Sequence, residues 1–494
     1  MKAIVDLVYR PIAEWDAQAR NAFATALSDR YVRVSETLRE KKNDERRFQL
    51  RVNADATPSS VPYAALIAPD QELTGGYGGM SFVMFPSDSP GTPAVISMGV
   101  GTNGLAPDDA ILGRPGHGRK CAAISSWLNT RSPGAAWAKQ DPVRIDLDLP
   151  SAVRRTDGWE RAWDRYGKVL YATFIPGATR TPASDAILTD ALTAFIDLFF
   201  DERRIEPKKA FKDEAERIRR SWMARVLPGT TDAEVAALLT ERRYAIIEGP
   251  PGTGKTEMAG RLLSAQYANR GRTIQFHPGT TYESFVGGLA PREGGNLGFT
   301  FRATRGHLME AAAEAAKNPA SPYLLVIDEI NRADLAKVLG EAIHLLEPDA
   351  KAKREVTLAH DFEGFGRTLK LPANLHILGT MNSADRSIAI LDVAVRRRFA
   401  FVPLWPQLEV VEKLSGERLQ TSFHDLLTLF VEHASDDALP LTPGHAYFLG
   451  SDAEASRRLA TSVRPLLEEY LAQGYVAGFA DEIRAYIDRI AQVG

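Results

Sequence analysis

The sequence predicts an α/β core built on a parallel sheet, with a small helical lid after it and an α+β domain before it. Three observations carry this. From about residue 228 to Pro406 the chain reads strand, loop, helix, repeated, as a parallel sheet with helices on both faces requires. Residues 407–494 are mostly helical in pattern. Before residue 205, by contrast, Tyr63–Ile67, Met80–Phe85 and Ala94–Val100 are short apolar runs separated by Pro, Gly, Ser and Asp clusters. That is the strand-and-turn pattern of an antiparallel sheet.

At 494 residues the chain is too long for one compact core, so two or three domains are expected. Apolar content of 44% and charged content of 25% are those of an ordinary globular protein. The formal net charge of -3 excludes a uniformly basic nucleic-acid binder, so any DNA contact must come from a local patch. The one cysteine, Cys121, excludes a disulfide framework within the chain and a Cys-based zinc site. It fits a reducing compartment, and a cytoplasmic location is expected. The start, Met1-Lys-Ala-Ile-Val-Asp, lacks the parts of a signal peptide. No stretch approaches ~18 uninterrupted apolar residues, so no membrane partner is expected. Ala186–Phe200 carries Thr189, Asp190, Thr193 and Asp197 and reads as an amphipathic helix.

Taken in order, Trp15, Ala19, Phe23, Leu27 and Tyr31 recur at spacings of four and predict a helix over 14–42. After the three strands, helical patterns return around 117–129, 157–166 and 183–201. Residues 1–205 therefore read as one α+β domain. The charged run that follows predicts a helical linker over 206–227. Residues 228–406 form the large α/β part, and 407–494 the lid.

The chemistry concentrates in the α/β part. The β-type run Tyr244-Ala-Ile-Ile247 leads into Gly249, Pro250, Pro251, Gly252, Thr253, Gly254, Lys255 and Thr256, and a helical stretch follows. This is G-x-x-x-x-G-K-[ST] in the strand–loop–helix context that the motif needs. Glycines let backbone N–H groups wrap phosphates, and the positive end of the helix faces the same anion. Lys255 would reach the β/γ-phosphates, and the Thr256 hydroxyl would ligate Mg²⁺. Tyr323-Leu-Leu-Val-Ile327 reads as a buried strand ending in Asp328 and Glu329, where open α/β sheets place their ligands. Asp328 would hold Mg²⁺, directly or through water, and Glu329 would orient and polarise the attacking water.

A third strand, Leu375–Gly379, runs into Thr380-Met-Asn382-Ser-Ala-Asp385-Arg386-Ser387. Asn382 would contact the γ-phosphate and the water, and the competing reading is a strand-end cap. Asp385 and Arg386 would pair with each other or with a neighbouring subunit. Arg396, Arg397 and Arg398 follow on a helix and point in different directions around it, so one or two would reach a neighbour's γ-phosphate. A nucleic-acid patch is the alternative for this run.

The order Gly249–Thr256, Leu325–Arg332, Gly379–Ser387 and Arg396–Phe399 resembles the McrB family, the AAA+ motors of methylation-dependent, type IV restriction systems. Phe276–Phe285, Leu335–Glu341, Pro443–Phe448 and Pro465–Tyr470 are similar to further segments of that family, so the resemblance covers roughly 240–475. Ser383 stands where the family more usually has threonine. The resemblance implies a P-loop nucleoside triphosphatase that assembles as a hexameric ring, uses GTP in preference to ATP, and engages a McrC-type nuclease subunit that stimulates hydrolysis. It also implies that Lys255 and Thr256 bind phosphates and Mg²⁺, that Asp328 and Glu329 form the acidic pair, that Asn382 is the first sensor, and that Arg397 and Arg398 act in trans. His445 lies where a second sensor would approach. The guanine preference comes from the resemblance alone. Asn382-x-x-Asp385 is similar in form to a guanine-reading motif but follows a strand that should end beside the γ-phosphate.

In McrB-type proteins the N-terminal domain reads the target, often modified DNA. In residues 1–205, Gly99–Gly104 and Ile111–Lys120 stand out, and Gly, Arg, His and Lys in one loop would contact phosphates. Tyr77, between Gly75-Gly76 and Gly78-Gly79, would stack on a base. Plain turns joining strands compete with both readings, and His117 reads as structural. Glu206-Pro-Lys208 has the spacing of the end of a PD-(D/E)xK nuclease site, but Pro207 and the charged helical context argue against it, and no nuclease is expected in this chain. The alternative to restriction is a remodelling ATPase of the MoxR type that shares the nucleotide motifs and grips protein through its N-terminal domain.

Overall fold

The structure is a computed structural model. It describes residues 1–31, 48–55, 57–69, 71, 75–89, 91–293, 298–347, 354–384 and 393–492. The end of the helix expected over 14–42, and the expected pair Asp385 and Arg386, lie outside the described residues. The chain divides into two compact units: Met1–Leu227 with Val431–Ser435, and Pro228–Phe430 with Asp436–Gly494.

The first unit holds an antiparallel sheet of β1 (Gln49–Asn53), β2 (Tyr63–Ile67), β3 (Met80–Phe85), β4 (Val95–Val100), β5 (Ala136–Ala138) and β6 (Leu170–Phe174), in the order β1-β2-β3-β4-β6-β5. Side chains alternate across the pleat. Ala64, Leu66, Phe82, Met84, Ile96 and Met98 enter the larger core, and Ala65, Val83, Phe85 and Val95 enter a smaller one with Trp159 and Trp163. Both faces being partly buried, the strands read as apolar runs and not as strict alternation. Helix Pro182–Asp201 begins with a Thr181–Ser184 capping box and Pro182 in its first turn. It lays Leu188, Leu192, Phe195 and Phe199 onto the larger core.

The charged run after residue 206 forms helix Lys209–Met223, which is not a solvated spacer throughout, because Ile218 and Trp222 are buried in the first unit's core. The stretch Arg114–Lys120 also departs from its reading as a phosphate-facing loop. Pro115 opens helix Pro115–Arg131, and His117 and Lys120 are buried. The buried Glu202 carboxylate draws them inward, with His117 Nδ1 at 2.9 Å, Lys120 Nζ at 2.6 Å and Arg114 also paired. Burial alone would lower the His117 imidazole, but Cys121 and Glu202 outweigh it and lift it to about 9.

In the second unit β7 (Tyr244–Gly249), β8 (Gly271–Gln275), β11 (Tyr323–Asp328), β14 (Leu375–Asn382) and β15 (Ala400–Pro403) make a five-stranded sheet, order β15-β7-β14-β11-β8, with every pairing parallel. Two hairpins, β9 (Gly287–Glu293) with β10 (Phe299–Arg305) and β12 (Val356–Phe362) with β13 (Gly366–Leu369), stand apart from it. Tyr244, Ile246, Leu325, Ile327 and Ile377 face one core, and Ala245, Ile247, Leu324, Val326 and Leu378 the other. Burial on both faces is why these strands are continuous apolar runs. The chain leaves β7 for β8 at one edge and later sets β14 and β15 on the two sides of β7. The carboxyl end of β7 is therefore a switch point, where such sheets bind ligands.

Among the described residues, five α-helices close the second half: Leu408–Leu414, Glu417–His433, Asp452–Arg458, Arg464–Ala472 and Ala480–Gln492. Phe423 packs at a tilt against Phe448 at 4.9 Å, and Phe430 stands edge-on to Phe479 at 5.3 Å. Among the described residues no helix is long and apolar enough to cross a membrane.

Candidate active site

Three parallel strands deliver the site to one edge. β7 ends at Gly249, β11 at Asp328 and β14 at Asn382, with Asn382 paired directly to Gly249. Gly252 and Gly254 have φ of 79° and 81°, conformations that side chains resist, and they turn the loop back toward helix Lys255–Ala265. The buried hydroxyl of Thr253 donates to Pro250 O at 3.0 Å and pins the loop from within. Gly254 caps the helix without a side chain, which leaves the first N–H groups of the helix facing the loop.

Lys255 Nζ donates to Gly249 O at 2.9 Å, Pro250 O at 2.8 Å and Asn382 Oδ1 at 3.1 Å. Burial lowers its ammonium to about 8, against the pull of Glu329 and Asp328 in the other direction. A buried cation held by neutral oxygens is poised for an anion. The Thr256 hydroxyl donates to Asp328 Oδ1 at 3.0 Å. That pair of oxygen ligands, one a carboxylate, suits Mg²⁺, which is usually held by one or two carboxylates together with substrate phosphates. Lys255, Thr256, Asp328, Glu329 and Asn382 are thus brought to one place.

The motif reading left out Thr380. Its hydroxyl donates to Asp328, and its oxygen accepts the backbone N–H of Glu329 at 3.2 Å. The register signals it, because Ile327 pairs with Gly379 and so Asp328 lies level with Thr380. Glu329 itself sits in the left-handed region at φ 54°, ψ 46°. Arg332 Nε lies 3.5 Å from its carboxylate. Such backbone strain clusters at functional sites. Asn331, also unassigned by the motif reading, is buried and donates to Asn382 O at 3.4 Å.

The segment Gly444–Phe448 docks on the phosphate loop. Gly444 N–H donates to Pro251 O at 3.0 Å and Ala446 N–H to Gly252 O at 2.9 Å. A Cβ on Gly252 would meet the Tyr447 ring at 2.9 Å. His445 Nδ1 accepts Gln407 N–H at 3.3 Å, and burial lowers this imidazole, favouring its neutral form.

The arginines are elsewhere. The short helix Val393–Arg396 ends before Arg397 and Arg398, so the three do not share one helix. They precede β15, whose Ala400 pairs with Ala245, four residues before Gly249. That is about 13 Å from the loop along the strand at ~3.3 Å per residue. Arg397 is exposed. Arg398 is buried, and its Nη1 donates to Ala394 O at 2.6 Å.

Residues 245–399 match the model of the AAA domain, dynein-related subfamily. The McrB subunit of the type IV methyl-directed restriction enzyme of Escherichia coli K12 is 34% identical over 268 residues, 49% of this chain and 57% of that protein. This part of the chain carries an AAA domain that is similar to the one in McrB. The YdiS component of the type II restriction enzyme BsuMI from Bacillus subtilis is 28% identical over 192 residues, 32% of this chain and 56% of that protein. The chain therefore spans just over half the length of these curated relatives. The solved NtrX of Brucella abortus, in complex with ATP, overlaps 56% of this chain and 76% of its own at 12% identity and a TM-score of 0.25.

Proposed function

We propose that this protein hydrolyses a nucleoside triphosphate with Mg²⁺, GTP in preference to ATP, as the motor subunit of a restriction complex. The observation that carries this is the convergence of Lys255, Thr256, Asp328, Glu329, Thr380 and Asn382 on the carboxyl ends of β7, β11 and β14. Loop N–H groups and Lys255 bind the phosphates. Thr256 and Asp328 would hold Mg²⁺, which would supply charge neutralisation to the phosphates when bound. Glu329, set by Thr380, orients the attacking water, and Asn382 fixes Lys255 and reads the γ-phosphate.

The likeness to McrB supports the finer parts of the reading. These are a homo-oligomeric ring, hexameric by analogy, in which Arg397 and Arg398 act on the neighbour's nucleotide, and a McrC-like nuclease subunit as partner. Residues 1–205 would engage DNA, modified DNA included, with 206–227 joining them to the large part (228–406) and the lid (407–494). The distance of the arginines from their own loop favours action across a subunit boundary.

The test is turnover of GTP and of ATP, with and without the cognate nuclease subunit. Hydrolysis that the nuclease subunit stimulates and Glu329→Gln abolishes supports the reading. No turnover of either nucleotide in any combination overturns it.

A further inference from the structure

In the first unit, the sheet face that carries Ala65, Val83 and Phe85 is only partly covered. Trp159 and Trp163 close one end. Toward the other, adjacent strands set small residues together: Ala65 on β2, Ser81 on β3 and Gly99 on β4, with Ser81 paired directly to Gly99. The result is a cavity of about 360 Å³, within the ~300–1,000 Å³ usual for small-molecule sites.

Its walls are aromatic. Phe85 stacks on Tyr166 at 5.5 Å, and Tyr63 stands edge-on to Tyr166 at 6.4 Å. Tyr77 also lines the cavity. Asn103 fixes it by donating its N–H to Tyr77 O at 3.0 Å and its side-chain amide to Gly76 O at 2.8 Å. A Cβ on Gly101 would lie 1.8 Å from Tyr77 O, so only glycine permits that approach. Two cations complete the lining. The Arg51 guanidinium lies 5.1 Å over the Tyr77 ring and donates to Gly75 O at 3.0 Å, and Arg165 lies 5.9 Å from the Tyr166 ring. Among the described residues no acid lines the cavity.

Two guanidinium groups and no carboxylate oppose a cationic guest, and flat rings beside the cations suit a planar anion. We propose that this cavity binds a nucleotide unit, with its base among Tyr63, Tyr77 and Tyr166 and its phosphate on Arg51 and Arg165. The same chemistry is offered by a base turned out of a nucleic-acid strand and by a free nucleotide. The inference deepens the target-reading part of the proposal above and rests on it only for the strand.

The test uses the full chain carrying Lys255→Ala, so that the phosphate loop does not contribute. Binding of dAMP and dCMP, and of a 12-base duplex and its single strand, is measured by calorimetry. Tyr77→Ala and the exposed-site variant Arg165→Ala are each expected to weaken binding at least tenfold, and Tyr77→Phe to retain it. Monophosphates that bind and compete with the oligonucleotide support a free-nucleotide site. Oligonucleotide binding alone, lost in the same variants, supports a strand base. No binding of any probe, or binding that neither variant weakens, overturns the proposal. Turnover at the phosphate loop, measured on the unaltered chain, stands or falls separately.

Discussion

The Thr256 hydroxyl donates to Asp328 Oδ1 at 3.0 Å, tying the residue after the phosphate-loop lysine to the end of β11, two strands away from β7 in the sheet. This contact joins segments 72 residues apart and marks the edge at which, on the proposed reading, Mg²⁺ would be held. Thr256→Ala is expected to weaken Mg²⁺-dependent nucleotide binding by about tenfold or more while leaving Mg²⁺-independent binding less affected. Titration of a fluorescent nucleotide with and without Mg²⁺ checks it.

Lys255 makes the affinity pH-dependent. Burial holds its ammonium at about 8 in the nucleotide-free protein. Phosphate charge favours the protonated form, so the bound state has the higher pKa and binding takes up a proton above about pH 8. Affinity should be level below that value and fall by up to about tenfold per pH unit above it. Lys255→Ala should abolish the dependence together with most of the binding. Calorimetry in buffers of differing ionisation heat reads the proton uptake directly.

Thr380 separates positioning from binding. Its hydroxyl serves both Asp328 and the N–H of Glu329. Thr380→Val should lower turnover about 10- to 100-fold with nucleotide affinity within a few-fold of the unaltered chain, as loss of an orienting partner does. Thr380→Ser should restore turnover. Equal losses in affinity and turnover would show that the hydroxyl does not act on Glu329.

Glu329 carries backbone strain at φ 54°. Glycine takes that conformation freely, whereas alanine does not. Glu329→Gly should therefore be more stable than Glu329→Ala by about 1 kcal/mol, both being inactive. Chemical denaturation of the two variants reads the difference, and an alanine variant as stable as the glycine one would rule the strain out.

The two arginines should behave differently. Exposed Arg397 makes Arg397→Ala a folding-neutral variant that binds nucleotide and loses hydrolysis. Mixing it with Glu329→Gln subunits should restore activity at shared interfaces. Buried Arg398, bonded to Ala394 O, should cost about 1–3 kcal/mol of stability when replaced by alanine. Thermal melts and mixed-subunit turnover check both.

Much of this was legible in the sequence because the α/β strands are buried on both faces. Tyr244–Ile247 and Tyr323–Ile327 announce themselves as apolar runs, and the loops after them are dense with chemistry. Thr380 was hidden because its work depends on strand register, which pairs Ile327 with Gly379 and is not local in sequence, and Asn331 because its partner, Asn382 O, lies 51 residues away. Arg114–Lys120 misled for the opposite reason. A run rich in Gly, Arg, His and Lys looks like a solvated loop until Glu202, some 80 residues on, supplies the buried carboxylate that draws it inside. The close approach of Tyr447 to Gly252 is likewise set by tertiary docking of segments far apart in the chain.

The most direct measurement is steady-state hydrolysis of GTP and ATP by the unaltered chain and by Glu329→Gln, with nucleotide binding measured on the same samples. The account predicts turnover by the unaltered chain, and binding without turnover by the variant. Equal turnover in the two, or none in the unaltered chain with its nuclease subunit present, would contradict it.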